Sequence, residues 1–397
     1  MRDIIIAFVK NHYRVAHFLW AGMRFLLKVW GLFIPVKKQT IIFSSYGGRK
    51  FDDSPKALYD KICTMDEFRD WKLIWAFVNP DDFILSRGDK VKIDTFQFFK
   101  TLLSTQVWVG NSEIDRGIRL FSFKHIRIET WHGTPLKKIC GEENQTSVER
   151  ILSNRKIDKT TIRCAQSEYD RTIFSRLFSA SKSAILLSDL PRNDSLLTYT
   201  QDRLYAIKEK LGINGNKKVI LYAPTYREYL TNNKGENSIT PPINFNKWEN
   251  VLGEEYVLLI RAHYVVTEIM NLPTTPFVIN VSNYACLNDL YAISDMMISD
   301  YSSTFFDYAI FDRPMFCFAY DLDEYSEKRG LYLDLEKELP CTVDRDEDSL
   351  LTHIKNVDYA KASKATKNFH ERYAPYAGHA CDRVIDVLLN RLKDNRL

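Results

Sequence analysis

A histidine followed by a flexible turn is the clearest candidate for chemistry in this chain. In "IRIETWHGTPLKKI" (126–139), an apolar run ends at His132, and Gly133, Thr134 and Pro135 follow. A histidine side chain has an ordinary pKa of about 6.5, so its neutral ring can accept a proton from a hydroxyl group at cytoplasmic pH. Glycine lets a substrate approach the backbone, and proline stiffens the turn. The segment predicts a general base at His132 with a supporting loop, and a purely structural histidine is the alternative.

A serine pair after a later apolar run can hold an anion. The segment "ISDYSSTFFDYAIF" (298–311) indicates a strand, a polar turn and a helix that begins near Ser302 and Ser303. Unpaired backbone N–H groups at a helix start carry a partial positive charge and suit a phosphate group. Serine is also a favoured N-cap, so ordinary capping is the alternative. On these residues alone, both interpretations stay open.

Cationic and polar residues end two further apolar runs. In "LIRAHY", Arg261 and His263 are two residues apart, which places them on the same side of an extended segment. Together they can bind a diphosphate, the arginine through its two-pronged guanidinium group. In "YAPTYRE", Thr225 and Arg227 end another strand in the same way. A surface ion pair is the alternative role for each arginine.

Two other polar segments are explained by structural roles at least as well as by catalysis or ligand binding. In "LPRND" (190–194), Arg192 and Asp194 are predicted to pair with each other within a turn. The "DLD" sequence at 321–323 resembles a metal-binding acidic pair, but it is equally typical of a solvated loop. We therefore assign no metal and no cofactor from the sequence.

The scaffold that positions these residues is predicted from apolar runs that alternate with helical segments. Continuous apolar runs are typical of strands covered on both faces, and helical segments such as 54–63 and 168–179 between them predict parallel sheets built from βαβ units. The predicted strands are 39–46, 71–78, 91–95, 105–112, 125–131, 160–167, 183–188, 218–225, 256–263, 277–282, 296–303 and 315–321.

A polar stretch at 198–218 divides these strands into two groups. A chain of 397 residues exceeds the usual size of one hydrophobic core, so we predict two Rossmann-like domains, 37–200 and 201–397, that face a central cleft. Ligands bind at the carboxyl ends of strands in such sheets, which places His132 opposite the anion-binding candidates. A last helix at 379–393 is predicted to pack on either domain.

The composition excludes several classes of protein. The formal net charge of +4 is too small to indicate the concentrated basic face of a nucleic-acid-binding protein, and no motif of that class is present, so we expect no nucleic acid partner. The seven cysteines include no C-x-x-C pair, so neither a disulfide framework nor a zinc site is indicated. A reducing cytoplasm fits this pattern.

The first 36 residues have a distinct pattern. Charges interrupt their apolar residues too often for a membrane-spanning helix, which needs roughly 20 apolar residues. On a helix, the basic residues fall within an arc of about 120°, opposite an aromatic and aliphatic face. The basic residues are Arg2, Lys10, Arg14, Arg24 and Lys28, and the apolar ones are Phe8, Leu19, Met23, Leu26 and Trp30. The pattern predicts a helix that lies on an anionic membrane surface, and a helix packed on the protein body is the alternative.

Taken together and in order, several motifs resemble one family. The motifs are "WHGTPLKK", "YAPTYR", "RAH", "SDYSSTFFDYA" with a following "RP", and "YDLDEY", preceded by "FSSYGGRKFDDSPKALY" (43–59). This set resembles the CDP-glycerol glycerophosphotransferases that build wall teichoic acid, including related ribitol-phosphate enzymes, from about Phe43 to about Leu389. Two positions depart from the family pattern: Asp189 replaces a glycine before the "PRND" turn, and Ala377 replaces an aspartate before Gly378.

The resemblance implies a two-domain fold of the glycosyltransferase B type and a transfer reaction whose charge the fixed protein donors can stabilise without a metal. An acceptor hydroxyl would attack the glycerol-linked phosphorus of CDP-glycerol, and CMP would leave. His132 would be the base in an N-terminal acceptor domain. The C-terminal domain would bind the CDP-polyol donor; its donor-binding residues would be Arg261, His263, Ser302, Ser303, Thr225 and Arg227.

The same resemblance implies the partners and the location. The acceptor would be a polyprenyl-diphosphate-linked saccharide or a growing polyol-phosphate chain, and the protein would lie peripherally on the cytoplasmic face of the cell membrane. A CDP-ribitol transferase, a nucleotide-sugar glycosyltransferase of the same fold and a non-catalytic nucleotide- or polymer-binding protein are the alternatives.

Overall fold

The computed structural model describes residues 13–116, 124–140, 142, 161–213, 216–225, 227, 241–262, 272–273 and 275–394. Within these ranges, side chains are described from residue 21 onward. His263 and the first 12 residues lie outside the described residues, so the predictions made for them are not addressed by the structure.

The first domain is built on a seven-stranded parallel sheet. Its strands are β1 (Lys37–Ser44), β2 (Lys72–Phe77), β3 (Asp89–Lys92), β4 (Thr105–Gly110), β5 (Ile126–Glu129), β6 (Thr161–Ala165) and β7 (Ile185–Leu187), in the spatial order β3-β2-β1-β4-β5-β6-β7. Its helices are α1 (Tyr13–Phe33), α2 (Asp53–Cys63), α3 (Phe96–Ser104) and α4 (Glu168–Leu177). Consecutive residues such as Ile41 and Ile42 are fully buried because both faces of the sheet are covered.

The second domain is built on a six-stranded parallel sheet. Its strands are β8 (Lys218–Ala223), β9 (Tyr256–Ile260), β10 (Val278–Asn280), β11 (Met296–Ser299), β12 (Met315–Phe318) and β13 (Val343–Asp344), in the order β10-β9-β8-β11-β12-β13. The helices that follow the first sheet are α5 (Gln201–Lys210), α6 (Phe245–Leu252), α7 (Leu287–Ile293), α8 (Thr304–Tyr308), α9 (Leu322–Lys328), α10 (Leu335–Glu338), α11 (Glu347–Lys355), α12 (Tyr359–Tyr373) and α13 (Ala380–Asp394).

Every predicted strand segment contains a strand, and the reversal of strand order around β1 and β8 is the Rossmann-like arrangement that was predicted. The two-residue edge strand β13 was not predicted.

The last helix returns to the first domain. Val384, Ile385 and Leu388 of α13 are buried in the core of the first sheet, although α13 falls within the range assigned to the second domain. The carboxylate of Asp194 accepts hydrogen bonds from the backbone N–H groups of Ala380 (2.7 Å) and Cys381 (2.8 Å) at the start of this helix. The predicted pairing of Asp194 with Arg192 is therefore wrong, because Asp194 caps α13 instead.

Helix α1 both packs on the body and presents apolar side chains to solvent. Leu27, Trp30 and Ile34 pack against the first domain, and the Trp30 ring stacks on Phe96 with centroids 4.8 Å apart. The Nζ atom of Lys124 binds the carbonyl groups of the last helical turn, which fixes the end of the helix.

Other side chains of α1 are exposed to solvent. The exposed apolar ones are Met23, Phe25, Leu26, Val29, Leu32 and Phe33. The predicted apolar face thus divides, with Leu26 exposed and Trp30 packed on the body. Within the part of the chain that the structure describes, no helix has the length and apolarity needed to cross a bilayer.

Candidate active site

His132 lies in the loop that follows β5, with its ring open to the cleft. Its Nδ1 atom lies 2.9 Å from the backbone carbonyl oxygen of Asn111. A carbonyl oxygen can only accept a hydrogen bond, so Nδ1 carries the proton and Nε2 is left with its lone pair. The side of the ring that lies against the protein is shielded from water, and this desolvation lowers the pKa of His132 and favours the neutral form. The tautomer and the charge state are those that a general base requires.

The His132 loop touches the serine turn of the second domain. Gly133 has φ +145°, and a Cβ atom added there would lie 2.4 Å from Oγ and 2.7 Å from Cβ of Ser303. Glycine is therefore needed at this position for both its backbone conformation and its lack of a side chain. The structure brings the predicted base loop and the predicted anion-binding turn into contact across the cleft.

Lys137 and Lys138, which follow this loop, take part in backbone pairing between the two domains. Lys137 and Leu331 form an antiparallel bridge, flanked by hydrogen bonds from Lys138 N to Gly330 O (3.0 Å) and from Tyr332 N to Leu136 O (2.9 Å). The Leu136 side chain is 1% exposed within the core of the second domain. The loop carrying His132 is thus anchored at its carboxyl side to the second domain.

Thr134 supports the loop from below. Its side chain is 1% exposed, and Oγ1 lies 2.6 Å from Oε1 of Gln166 and 3.1 Å from Oδ2 of Asp170. Burial raises the pKa of Asp170 to about 7, so this carboxyl group carries a proton for part of the time at neutral pH. Because Thr134 is enclosed, loop support fits it and direct contact with an acceptor does not.

A partly buried arginine that was not predicted as functional links the two domains beside this loop. Arg192 donates from Nη1 to Asp53 (2.8 Å) in the first domain and from Nη2 to Asp307 (2.7 Å) in α8 of the second. Asn193 also donates to Asp307, at 3.1 Å. The sequence showed Arg192 only as part of the polar "PRN" turn. It gave no sign of the two partners of Arg192, which lie more than 100 residues away on either side.

The departure from the family pattern at Asp189 is accommodated by its backbone. Asp189 has φ +63°, a left-handed conformation that glycine adopts freely and aspartate tolerates. Its Oδ1 atom accepts hydrogen bonds from the backbone N–H of Leu190 (2.7 Å) and from Asn193 (3.1 Å). The aspartate side chain therefore stabilises the turn through its own hydrogen bonds. At the other departure, Gly378 keeps a positive φ of +85° after Ala377.

Arg261 lies at the carboxyl end of β9 and is partly exposed. Its Nη1 atom donates to the carbonyl oxygens of Val281 (3.1 Å) and Tyr284 (2.5 Å), and burial lowers its pKa. Within the described residues, Nε and Nη2 make no hydrogen bond, so these donors are open to a ligand.

Ser302 and Ser303 differ in their hydrogen bonds. Oγ of Ser302, the residue before the N-cap, accepts a hydrogen bond from the backbone N–H of Thr304 at 3.2 Å, so this hydroxyl is already used within the turn. Oγ of Ser303 makes no hydrogen bond to a described residue, and it faces the Gly133 loop. Ser303 is therefore the hydroxyl of the pair that a ligand in the cleft can use.

Arg227 is turned into the second domain. Its guanidinium group is 3% exposed, pairs with Asp300 at 2.8 Å and binds both carboxylate oxygens of Asp321 at 2.7 and 2.9 Å. It also lies over the ring of Tyr301, 4.8 Å from the centroid. The predicted contact of Arg227 with the donor does not fit this burial, and the "DLD" aspartate at 321 is explained by this ion pair.

Thr225 precedes this buried cluster. Its backbone N–H donates to Asp300 at 2.8 Å, and its Oγ1 atom is buried without a hydrogen-bond partner among the described residues.

No group of three or more histidine, cysteine or acidic side chains within the described ranges can hold a metal ion.

Comparison with known proteins relates this cleft to one family. A family model described as CDP-Glycerol:Poly(glycerophosphate) glycerophosphotransferase matches residues 26–390. The chain is 31% identical over 370 residues to a teichoic acid poly(glycerol phosphate) polymerase of Staphylococcus epidermidis, covering 90% of this chain and 51% of that protein. It therefore spans about half the length of that relative. It is 30% identical over 368 residues to a teichoic acid glycerol-phosphate transferase of Staphylococcus aureus, covering 88% of this chain and 93% of that protein.

A solved structure of the wall teichoic acid polymerase TagF has the same fold. It matches with a TM-score of 0.82 and 28% identity, and the match covers 100% of both chains. The predicted family, enzyme class and two-domain glycosyltransferase B fold are confirmed. The chain belongs to the CDP-glycerol:poly(glycerophosphate) glycerophosphotransferase family.

Proposed function

We propose that this protein transfers glycerol phosphate from CDP-glycerol to a hydroxyl group of a membrane-linked saccharide or polyol-phosphate acceptor, with release of CMP. Family membership supports glycerol phosphate transfer in teichoic acid synthesis and CDP-glycerol as the donor. The acceptor and the residue roles are inferred from the chemistry of the cleft.

His132 is the general base in this proposal. Its Nε2 lone pair takes the proton of the acceptor hydroxyl, whose oxygen then forms a bond to the glycerol-linked phosphorus. The bond between that phosphorus and the bridging oxygen of the diphosphate breaks, and CMP leaves with the electron pair. The Nδ1 hydrogen bond to Asn111 holds the required tautomer throughout.

The second domain holds the diphosphate. The open donors of Arg261 and the free hydroxyl of Ser303 face the cleft from the ends of β9 and β11. Fixed donors of this kind stabilise the charge that shifts onto the leaving phosphate. Ser302 contributes by its hydrogen bond within the turn, and Arg227 by fixing the loop at Asp300 and Asp321. His263 remains predicted as a donor-binding residue.

The observation that carries the proposal is the contact between Gly133 and Ser303, which places a neutral histidine beside the turn predicted to bind phosphate. The test is transfer from CDP-glycerol to a synthetic lipid-linked disaccharide by the purified protein, with the added units counted by mass spectrometry. His132→Ala should lower kcat by roughly 10² to 10⁴ while CDP-glycerol binding is largely retained. Full turnover by this variant contradicts the assignment of the base.

The identity of the donor is tested in the same assay. CDP-glycerol, CDP-ribitol and UDP-sugars are offered separately, and the mass added to the acceptor identifies the group transferred. Addition of a sugar or of ribitol phosphate in preference to glycerol phosphate contradicts the proposal. Tight nucleotide binding with no product from any donor favours a binding protein instead.

We also propose that α1 places the cleft at an anionic membrane surface on the cytoplasmic face. Phe25 and Phe33 are 66% and 80% exposed on the side of α1 that faces away from the body, which supports contact with lipid. Removing the whole helix would also expose the surface under Trp30, so a substitution on the exposed side is the cleaner test.

The membrane proposal predicts that Phe25→Glu/Phe33→Glu reduces binding to vesicles that contain phosphatidylglycerol. The matched control is Ile84→Glu, at a side chain that is 92% exposed on a loop of the first domain. Equal vesicle binding by the double variant and the control contradicts a role for α1. Activity toward a water-soluble acceptor should be unchanged in both.

A further inference from the structure

An arginine buried behind the His132 loop makes unusual contacts. Arg163 on β6 is 4% exposed, and its guanidinium carbon lies 3.9 Å from the centroid of the Phe178 ring. The rings of Trp131 and Phe174 lie 5.7 and 5.9 Å from the same atom. The cation is thus held mainly by aromatic faces, an arrangement that stabilises a charge partly removed from water.

Burying the charge of Arg163 costs free energy of folding, which indicates that the charge has a role other than packing. Nε and Nη1 of Arg163 are buried without a hydrogen-bond partner among the described residues. Its register neighbour on β5 is Glu129, but no ion pair within 4.0 Å joins them. An apolar side chain of similar volume would pack in this site at least as well, because buried ionic groups are often replaced by apolar ones without loss of stability.

The aromatic contacts lead from Arg163 to the base. The Trp131 ring packs edge-on against Phe174 and Phe178, with centroids 5.9 and 5.8 Å apart. The Trp131 ring also stacks on His132, with centroids 4.5 Å apart and an angle of 22° between the planes. Trp131 has φ +58°, an unfavourable conformation for a bulky residue, so its surroundings must hold it there.

We propose that Arg163 is a positioning residue for the transfer reaction: it holds the stack of Trp131 on His132 from behind and keeps a fixed positive charge near the base. This inference rests on the proposed role of His132. The substitution is expected to act through the orientation of the ring and through the proton affinity of its Nε2 atom, without contact between Arg163 and the substrate.

The charged groups that act most strongly on His132 lie on three of the elements around it. Asp53 at the start of α2 favours the charged ring, and Arg192 and Arg163 oppose it. Asp53 and Arg192 form an ion pair with each other at 2.8 Å, so their effects on His132 oppose one another. Arg163 forms no ion pair of this kind, although the nearby Glu129 carboxylate favours its charge, and its positive charge disfavours protonation of the base.

The test compares Arg163→Met and Arg163→Lys with wild type in pH profiles of kcat and kcat/KM. Arg163→Met should move the acid limb of kcat/KM to higher pH by about 0.5 units or more, roughly a threefold change in proton affinity. It should also lower kcat about tenfold, with KM for CDP-glycerol within about twofold of wild type, because the base is misplaced. Arg163→Lys keeps the charge and should keep the acid limb near its wild-type position.

The control is Arg313→Met. Arg313 lies over Phe311 at 4.8 Å and donates to backbone carbonyl groups of the second domain, away from His132. This variant should lose stability without a shift of the acid limb. An unshifted limb in folded Arg163→Met overturns the proposal, whatever happens to kcat, because a merely structural arginine would behave like Arg313.

A second readout separates this inference from the proposed function. The pKa of His132 can be measured by NMR on protein with labelled histidine rings, with His132→Gln identifying the signal. Arg163→Met should raise this pKa even if the protein transfers nothing from CDP-glycerol, a result that would refute the proposed function alone. An unchanged pKa of His132 in Arg163→Met overturns the role of Arg163.

Discussion

Substitution of Gly133 by alanine tests the geometry of the cleft most directly. The new Cβ would lie 2.4 Å from Oγ and 2.7 Å from Cβ of Ser303, whereas ordinary contacts between such atoms are 3.4–4 Å. The loop and the serine turn must therefore separate by about 1 Å, and a shift of that size in a catalytic site costs about 10²-fold in rate. The φ angle of +145° adds backbone strain of about 1–3 kcal/mol.

The assay is release of CMP from CDP-glycerol in the presence of acceptor, together with urea unfolding. Gly133→Ala should lower kcat about 10²-fold while most of the protein stays folded. Gly212→Ala is the matched control, because Gly212 has φ +69° but no atom within 4 Å of an added Cβ. It should lose about 1 kcal/mol of unfolding free energy through strain and keep its kcat.

A double substitution identifies the cause of the loss. Ser303→Gly removes both atoms that the new Cβ would meet, so the Gly133→Ala/Ser303→Gly protein should be more active than the product of the two single effects indicates. Strict additivity would show that the close approach is not responsible. A Gly133→Ala enzyme with kcat within about twofold of wild type would refute the assignment of this contact to the catalytic cleft.

Three further predictions concern buried charges. Burial lowers the pKa of His125 to about 4, so the unfolded chain binds a proton before the folded chain does as the pH falls from about 6.5 to about 4. Wild type should therefore lose about 2 kcal/mol of unfolding free energy between pH 7 and pH 5 in urea titrations, and His125→Gln should reduce this loss. Burial raises the pKa of Asp189 to about 7, so its stabilising protonation is lost as the pH rises from about 3.8 to about 7, and Asp189→Asn should be more stable relative to wild type at pH 8 than at pH 5. Arg227→Met leaves two buried carboxylates unpaired and should cost about 3–5 kcal/mol in the same titration, with KM for CDP-glycerol in the folded fraction almost unchanged; a large KM effect with normal stability would contradict this account.

The strands were predictable because their burial on both faces leaves a direct mark in the sequence. Runs such as "TIIFS" and "VILYA" contain no charged residue, and each became a central strand of its sheet. The edge strand β13 has only two residues, and one of them is Asp344, so it leaves no comparable mark. Strand ends were equally visible, which is why His132, Ser303 and Arg261 could be placed at one edge of their sheets.

The direction in which a strand-end side chain points could not be predicted. Arg227 and Arg261 both follow an apolar strand, yet Arg227 is enclosed by Asp300 and Asp321, whereas Arg261 keeps donors open. The difference depends on acidic residues that are 73 and 94 positions away from Arg227. Local patterns contain no information about such partners, and the same reason hid the link from Arg192 to Asp53 and Asp307.

The loop that carries the proposed base is held by both domains. His132 is oriented by Asn111 of the first domain, but the loop beyond it is anchored by Leu136 and a backbone bridge to the second. Arg192 also links the two domains, through the carboxylates of Asp53 in the first and Asp307 in the second. Any opening of the cleft that breaks the bridge at Leu331 therefore also releases the loop that carries the base. We expect the orientation of His132 and domain closure to be coupled for this reason, so that His132 is fully ordered only when the proposed phosphate-binding turn faces it.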